Sequence, residues 1–190
     1  MDMPGNERRP LIAVFGSSTV RPGEPAYALP FELGRALARA GADVMTGGYG
    51  GAMEACSRGA HETGARVVGV TVELFERRGP VNRWVTERVH TPDLFERLRT
   101  IVTRADGFVA TPGSLGTLTE IFLVWTLISV RAHAAPPIVL LGAEWARWLD
   151  AQRHPELVLP HLFEHVRTTT NPDEAARLVL EPARAARSQA

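Results

Sequence analysis

Short apolar runs alternate along the chain with longer segments whose apolar residues recur every three or four positions. The first run, Pro10 to Gly16, reads Pro-Leu-Ile-Ala-Val-Phe-Gly and predicts a strand buried on both faces, as in parallel sheets. Ala42 to Thr46, Arg66 to Val72, Gly107 to Ala110 and Pro137 to Leu141 repeat that pattern, and Trp84 to Val89 is a further candidate strand. Between the first two runs, Leu33, Leu37 and Ala40 share one face of a helix from Leu29 to Arg39, capped by Gly41. Pro30 fits such a helix only in its first turn. Ala52 to Glu62, closed by Gly64, predicts a helix of small residues, and Pro92-Asp93 opens another that reaches Arg104. Leu118 to Val130 predicts a long apolar helix, and Glu144 to His165 holds one or two more. Thr170 to Glu174 combines a cap residue, a proline and two acids, the start of a final helix.

This alternation, without repeat or long linker, predicts a single doubly wound, Rossmann-like α/β domain with a mostly parallel sheet and helices on both faces. The domain is expected over residues 10–181, with tails at 1–9 and 182–190. In such sheets ligands sit beyond the carboxyl ends of the strands. Two glycine turns fall at that edge.

The turn Thr111-Pro-Gly-Ser-Leu-Gly-Thr117 leads from a strand directly into a helix. Free amides at a helix start, reinforced by the helix dipole, suit a phosphate. Gly113 and Gly116 let backbone approach the oxygens, and Ser114 and Thr117 supply hydroxyls. A ligand-free strand-to-helix turn is the plain structural reading of the same residues. The other turn, Gly47 to Gly51, follows the second strand and lacks the G-x-G-x-x-G spacing, so a nicotinamide enzyme is disfavoured even with Glu73 about twenty residues on. Glu120 stands one turn into the helix after Thr117, and Arg97 lies on the preceding helix. Beside a phosphate cradle, the two could orient a phosphorylated sugar and stabilise charge; equally they could form a structural ion pair.

Composition narrows the chemistry. The chain of 190 residues has a formal net charge of zero, with no basic block for nucleic acid or anionic membrane. Its 21 basic residues are all arginine. Without lysine there is no Schiff base to pyridoxal phosphate and no P-loop lysine. The single cysteine, Cys56, precludes an internal disulfide, and the residues before Pro10 lack an apolar signal core, so a cytoplasmic location is expected. The longest apolar run is about half a membrane span.

Phe15-Gly-Ser-Ser18, Gly47-Gly-Tyr-Gly-Gly-Ala-Met-Glu54, Asp93 to Arg97 and Pro112-Gly-Ser-Leu-Gly-Thr-Leu-Thr-Glu120 occur in order. Together they resemble the LOG (Lonely Guy) family, often labelled possible lysine decarboxylases, over residues 10–180. The family hallmark is P-G-G-x-G-T-x-x-E with an upstream arginine. The resemblance implies hydrolysis of the N-glycosidic bond of a nucleoside 5′-monophosphate, AMP or a cytokinin riboside 5′-monophosphate, to free base and ribose 5-phosphate. It further implies Arg97 and Glu120 as the catalytic pair, and a binding set of Ser17, Gly48, Met53, Gly113, Ser114, Gly116, Thr117 and Thr126. No cofactor, metal, nucleic acid or membrane is implied; a homodimer is, with part of the 118–130 helix between subunits. The chain departs from the family pattern at Ser114 (the hallmark's second glycine), at Thr119 (a glutamate in many members) and at Leu98 (often lysine); around Met53 it lacks the G-L-M-G form.

Other readings carry less. A serine hydrolase needs glycine two residues before Ser114, where Pro112 stands. His161 and His165 have helical spacing, but Glu164 is misplaced for H-E-x-x-H; Trp145 and Trp148 read as packing, and Arg77-Arg78 as a solvated loop. The main alternative is a non-catalytic nucleotide or molybdenum-cofactor binding or carrier protein of the same fold.

Overall fold

The structure is a computed structural model, and it describes residues 8–77, 79–130, 138–154 and 156–187. Seven strands, β1 (Leu11–Phe15), β2 (Asp43–Thr46), β3 (Val67–Val72), β4 (Glu87–Thr91), β5 (Gly107–Ala110), β6 (Ile138–Leu141) and β7 (Val166–Thr169), form one sheet in the order β4-β3-β2-β1-β5-β6-β7. Every neighbouring pair is parallel. Strands β1, β2, β3, β5 and β6 are buried along their whole length, which explains their unbroken apolar sequences.

The helices are α1 (Pro25–Arg39), α2 (Ala52–Glu62), α3 (Glu73–Glu76), α4 (Leu94–Arg104), α5 (Leu115–Ser129), α6 (Glu144–Asp150) and α7 (Pro172–Arg187). Alternate strand residues separate two cores. Leu11, Ala13, Phe15, Phe108 and Leu140 pack with α4, α5 and α6, whereas Ile12, Val14, Val44, Val109 and Val139 pack with α1, α2 and α7. Strand order reverses between β1 and β5. Chain connections from β1 lead outward through β2 to β4, and those from β5 lead the other way to β7. The loops after β1 and β5 therefore flank a switch-point crevice, where ligands bind in such sheets.

Several elements differ from the sequence reading. α1 begins at Pro25, which occupies the first turn, so Pro30 sits inside the helix instead. Helix α5 begins at Leu115, because Ser114 takes the extended cap conformation and Gly116 is already helical. β4 is displaced to Glu87–Thr91, since its register follows β3 from Val68 opposite Glu87 to Val72 opposite Thr91. The stretch 144–165 holds only about two turns of α-helix, then a 3-10 turn at Pro160–His165, so His161 and His165 do not share an α-helical face. Edge strand β7, with the half-exposed sequence Val-Arg-Thr-Thr, carries too little apolar signal to predict. α7 runs on through Pro182, with Ala183 buried, past the predicted domain end at 181. Arg8 reaches Asp106, and Arg9 donates to the carbonyls of Ala38 and Gly41, so that part of the expected N-terminal tail is anchored. Pro137, Arg78 and residues 1–7 lie outside the described residues. Among the described residues no helix is long and apolar enough to cross a membrane.

Candidate functional site

Three loops meet at the carboxyl edge and are tied by backbone. The Ser17 amide donates to the Pro112 carbonyl (3.0 Å), and the Ser17 carbonyl accepts from the Ala52 amide (2.7 Å). Close approach demands small residues here: a Cβ on Gly16 would overlap Thr111 and Ala52, and one on Gly51, at φ +75°, would overlap Ser17 and Ser18.

The β5–α5 turn presents the start of α5. Ser114 is its cap residue, yet its side chain makes no capping bond, leaving the first-turn amides to face outward. The two glycines of this turn differ in what they require. A Cβ on Gly113 would overlap the Thr117 hydroxyl and lie 3.0 Å from the Ser17 amide, so packing requires glycine there. At Gly116 a Cβ would meet nothing within 4 Å, and the fold itself imposes no such demand. Thr117 is buried against this turn, while Ser114 is exposed.

α4 starts at the same edge because the Asp93 carboxylate caps it, accepting from the Glu96 amide at 2.9 Å. One turn later Arg97 is buried, with only 5% of its surface exposed. Its Nε donates to the Val70 carbonyl at 2.9 Å, and its guanidinium lies 5.5 Å from the centroid of the Phe75 ring. Arg97 Nη1 stands 3.6 Å from Glu120 Oε1, with 6% and 14% of the two side chains exposed. That separation is long for a charge-assisted hydrogen bond. Burial therefore dominates: it raises the Glu120 carboxyl from its ordinary 4.5 to about 7, against the opposing pull of the Arg97 charge. Glu120 is thus poised to gain or lose a proton near neutral pH.

Of the residues singled out from sequence, Arg97, Glu120, Ser17, Gly113, Ser114, Gly116 and Thr117 cluster at this edge. Met53 joins them at the start of α2: a Cβ on Gly47 would lie 2.5 Å from the Met53 sulfur and overlap the Arg97 guanidinium. Gly48 adopts φ +80° beneath that loop, its amide donating to Thr46 Oγ1 at 3.1 Å. Thr126 is not brought to the pair. It lies about 9 Å further along the α5 axis than Glu120, on the exposed stripe that includes Leu115 and Phe122. Glu73 is exposed at the start of α3. Sequence reasoning missed Phe75, the aromatic neighbour of Arg97, because nothing in Val-Glu-Leu-Phe-Glu marks it. Gly47 was read only as part of a permissive turn and motif, whereas its bare α-carbon is what admits the guanidinium.

A parallel sheet with an amide-lined helix start at its switch point, and a buried arginine–glutamate pair beside it, defines a doubly wound α/β protein with a candidate site at the carboxyl edge. The chain belongs to the family described as "Possible lysine decarboxylase", whose model matches residues 53–179, and within it to the LOG group. It is 29% identical over 156 residues to a cytokinin riboside 5′-monophosphate phosphoribohydrolase of Mycobacterium tuberculosis, covering 78% of this chain and 82% of that protein. It is 28% identical over 170 residues to a pyrimidine/purine nucleotide 5′-monophosphate nucleosidase of Escherichia coli K12, covering 83% of this chain but 36% of that longer protein. The molybdenum cofactor binding protein of Rippkaea orientalis shares the fold, with a TM-score of 0.72 at 23% identity over 92% of this chain and 98% of its own.

Proposed function

We propose that this protein hydrolyses the N-glycosidic bond of a nucleoside 5′-monophosphate, AMP or a cytokinin riboside 5′-monophosphate, releasing the free base and ribose 5-phosphate. The observation that carries this reading is the buried Arg97–Glu120 pair, set one helical turn from the α5 start with Glu120 held at about 7. The 5′-phosphate sits on the first-turn amides of α5, with Thr117 and Ser114 offering hydroxyls. The ribose then reaches Glu120. As the C1′–N bond breaks, positive charge grows on the sugar, and an ionised carboxylate stabilises it, as in glycoside hydrolysis. Water adds its oxygen to C1′, and the departing base takes up a proton. Arg97 orients the nucleotide and holds part of Glu120 in the charged form. The lysine-free sequence is incompatible with pyridoxal-dependent decarboxylation, whatever the family description says.

The names of the relatives support nucleotide hydrolysis as the class of reaction. A homodimer agrees with the exposed apolar stripe of Leu115 (78% exposed), Phe122 (43%) and Val130 (66%), and with the exposure of Phe95 (85%) on α4. Sedimentation at micromolar concentration checks it. A cytoplasmic location follows from the same reading.

The test is chromatographic detection of free base after incubation with AMP, other nucleoside monophosphates and isopentenyladenosine monophosphate. Release is expected from wild type, and Glu120→Gln should lower it by about 10²–10³-fold, the loss typical of a group that stabilises transition-state charge. If no base appears while AMP still raises the melting temperature, the protein is a binding or carrier protein instead.

A further inference from the structure

The β5–α5 turn has two sides. Arg97 and Glu120 lie on one. On the other, a cavity of about 430 Å³ opens between the turn, the first turns of α1 and the β6–α6 loop. Neither Arg97 nor Glu120 borders it, yet Gly113 and Ser114 do, so the turn is a wall common to both compartments. At about 30 Å³ per water the space equals more than ten waters, enough for a sugar-sized group.

Its walls differ in character. Leu29 and Val20 are apolar, whereas the loop side offers the Ser114 hydroxyl and the Glu144 carboxylate. Gly142, at φ +148°, leaves room for that carboxylate: a Cβ there would lie 2.9 Å from Glu144 Oε2 and 3.0 Å from Pro112 Cγ. Glu144 is exposed, and it has no ion-pair or hydrogen-bond partner among the described residues. A nucleoside monophosphate with its phosphate on the turn and its glycosidic bond at Glu120 leaves this cavity empty. Only atoms on the far side of the phosphorus enter it.

We propose that the cavity is a second subsite for nucleotides whose 5′-phosphate continues through a diphosphate bridge to a hydroxylated group, with Glu144 accepting hydrogen bonds from a vicinal diol. The inference rests on the phosphate placement of the preceding reading. A carboxylate gripping a ribose diol is the device by which doubly wound proteins hold a nucleoside. The same negative charge repels a terminal phosphate, so a nucleoside diphosphate without the sugar gains nothing. Hydrolysis of the extended ligand breaks the same C1′–N bond: water's oxygen joins C1′, the base leaves with a proton, and the diphosphate bridge stays intact.

The experiment is calorimetric titration of the full chain with AMP, ADP and ADP-ribose, with base release followed in parallel. ADP-ribose is expected to bind at least tenfold more tightly than AMP, and ADP no more tightly. Glu144→Ala, and Ala143→Trp, which fills the cavity, should bring ADP-ribose down to the AMP level while leaving AMP binding and base release unchanged. If the tryptophan variant fails to fold, Glu144→Ala alone decides. The proposal is overturned if wild type shows no preference for ADP-ribose, or if the preference survives both variants. Base release from AMP without that preference removes the second subsite and leaves the hydrolase. The preference, abolished by the variants but with no base released from any ligand, keeps the subsite and removes the hydrolase. Absence of binding by all three ligands overturns both.

Discussion

At the amino-terminal edge of the sheet, Arg66 touches Asp43 at 2.9 Å and Glu87 at 2.7 Å, and Arg104 reaches Glu87 at 2.8 Å. At the carboxyl edge, Arg97 and Glu120 approach only to 3.6 Å. The carboxyls respond in opposite directions. Glu87, bonded to two guanidinium groups, is held below its ordinary 4.5, while Glu120 is raised to about 7 by burial. Arginine–carboxylate contacts thus join β2, β3, β4 and α4 at one end of the sheet, and at the other the pair stands in the proposed site with its hydrogen bonding incomplete. An arginine–glutamate pair reads as structural when its hydrogen bonds are complete, and as chemical when burial outweighs them.

The contrast breaks first at Arg97. Arg97→Gln removes the charge that opposes the burial of Glu120, so base release should fall by about 10²-fold or more and the pH at which Glu120 ionises should move upward from about 7. Steady-state rates between pH 5 and 9 check both. A variant as active as wild type would make the pair a structural one.

Stability should show the difference next. Glu120 binds a proton more tightly folded than unfolded, so its contribution favours the folded state at low pH and is lost as the pH rises from about 4.5 to about 7. The full loss is about 3 kcal/mol. Urea unfolding at a series of pH values should reveal this slope, and Glu120→Gln should abolish it. Glu87 has the opposite sign: its stabilisation is present above its ordinary 4.5 and disappears as the pH falls below that value.

The two glycines of the α5 turn sharpen the same division between packing and ligand. Gly113→Ala forces Cβ into Thr117 and should destabilise the fold by about 1–3 kcal/mol. Gly116→Ala should leave the melting temperature unchanged or slightly raised and weaken nucleotide binding, as calorimetry would show. The smallest effect is expected of Glu87→Gln. Its side chain and the arginines it meets are each more than a third exposed, so its loss costs about 1 kcal/mol and leaves base release unchanged.

The alternation of strands and helices, the two-sided sheet and the edge at which the glycine turns lie were all legible in the chain, because buried parallel strands write unbroken apolar runs such as Leu11 to Phe15. Arg97 and Glu120 were legible as well, through their place beside the turn and through the family resemblance. What the chain did not disclose depends on contacts between distant segments. Phe75 meets Arg97 only because β3 and α4 are neighbours, and Glu144 borders the β5–α5 turn only because β6 lies next to β5. β7 was missed because an edge strand needs little apolar sequence, and Pro30 was misplaced because Pro25 had already taken the first turn of α1.

The proposed function stands on Glu120 as the ionising group of the site, and the pH dependence of kcat/KM for base release from AMP, measured in wild type and Glu120→Gln, tests it most directly. Wild type should rise about tenfold for each pH step below 7 and level off above it, beyond any change near pH 6 that belongs to the substrate phosphate. Glu120→Gln should be far slower and lack the rise near 7. A wild-type profile without that rise, or a glutamine variant that keeps it, would contradict the assignment.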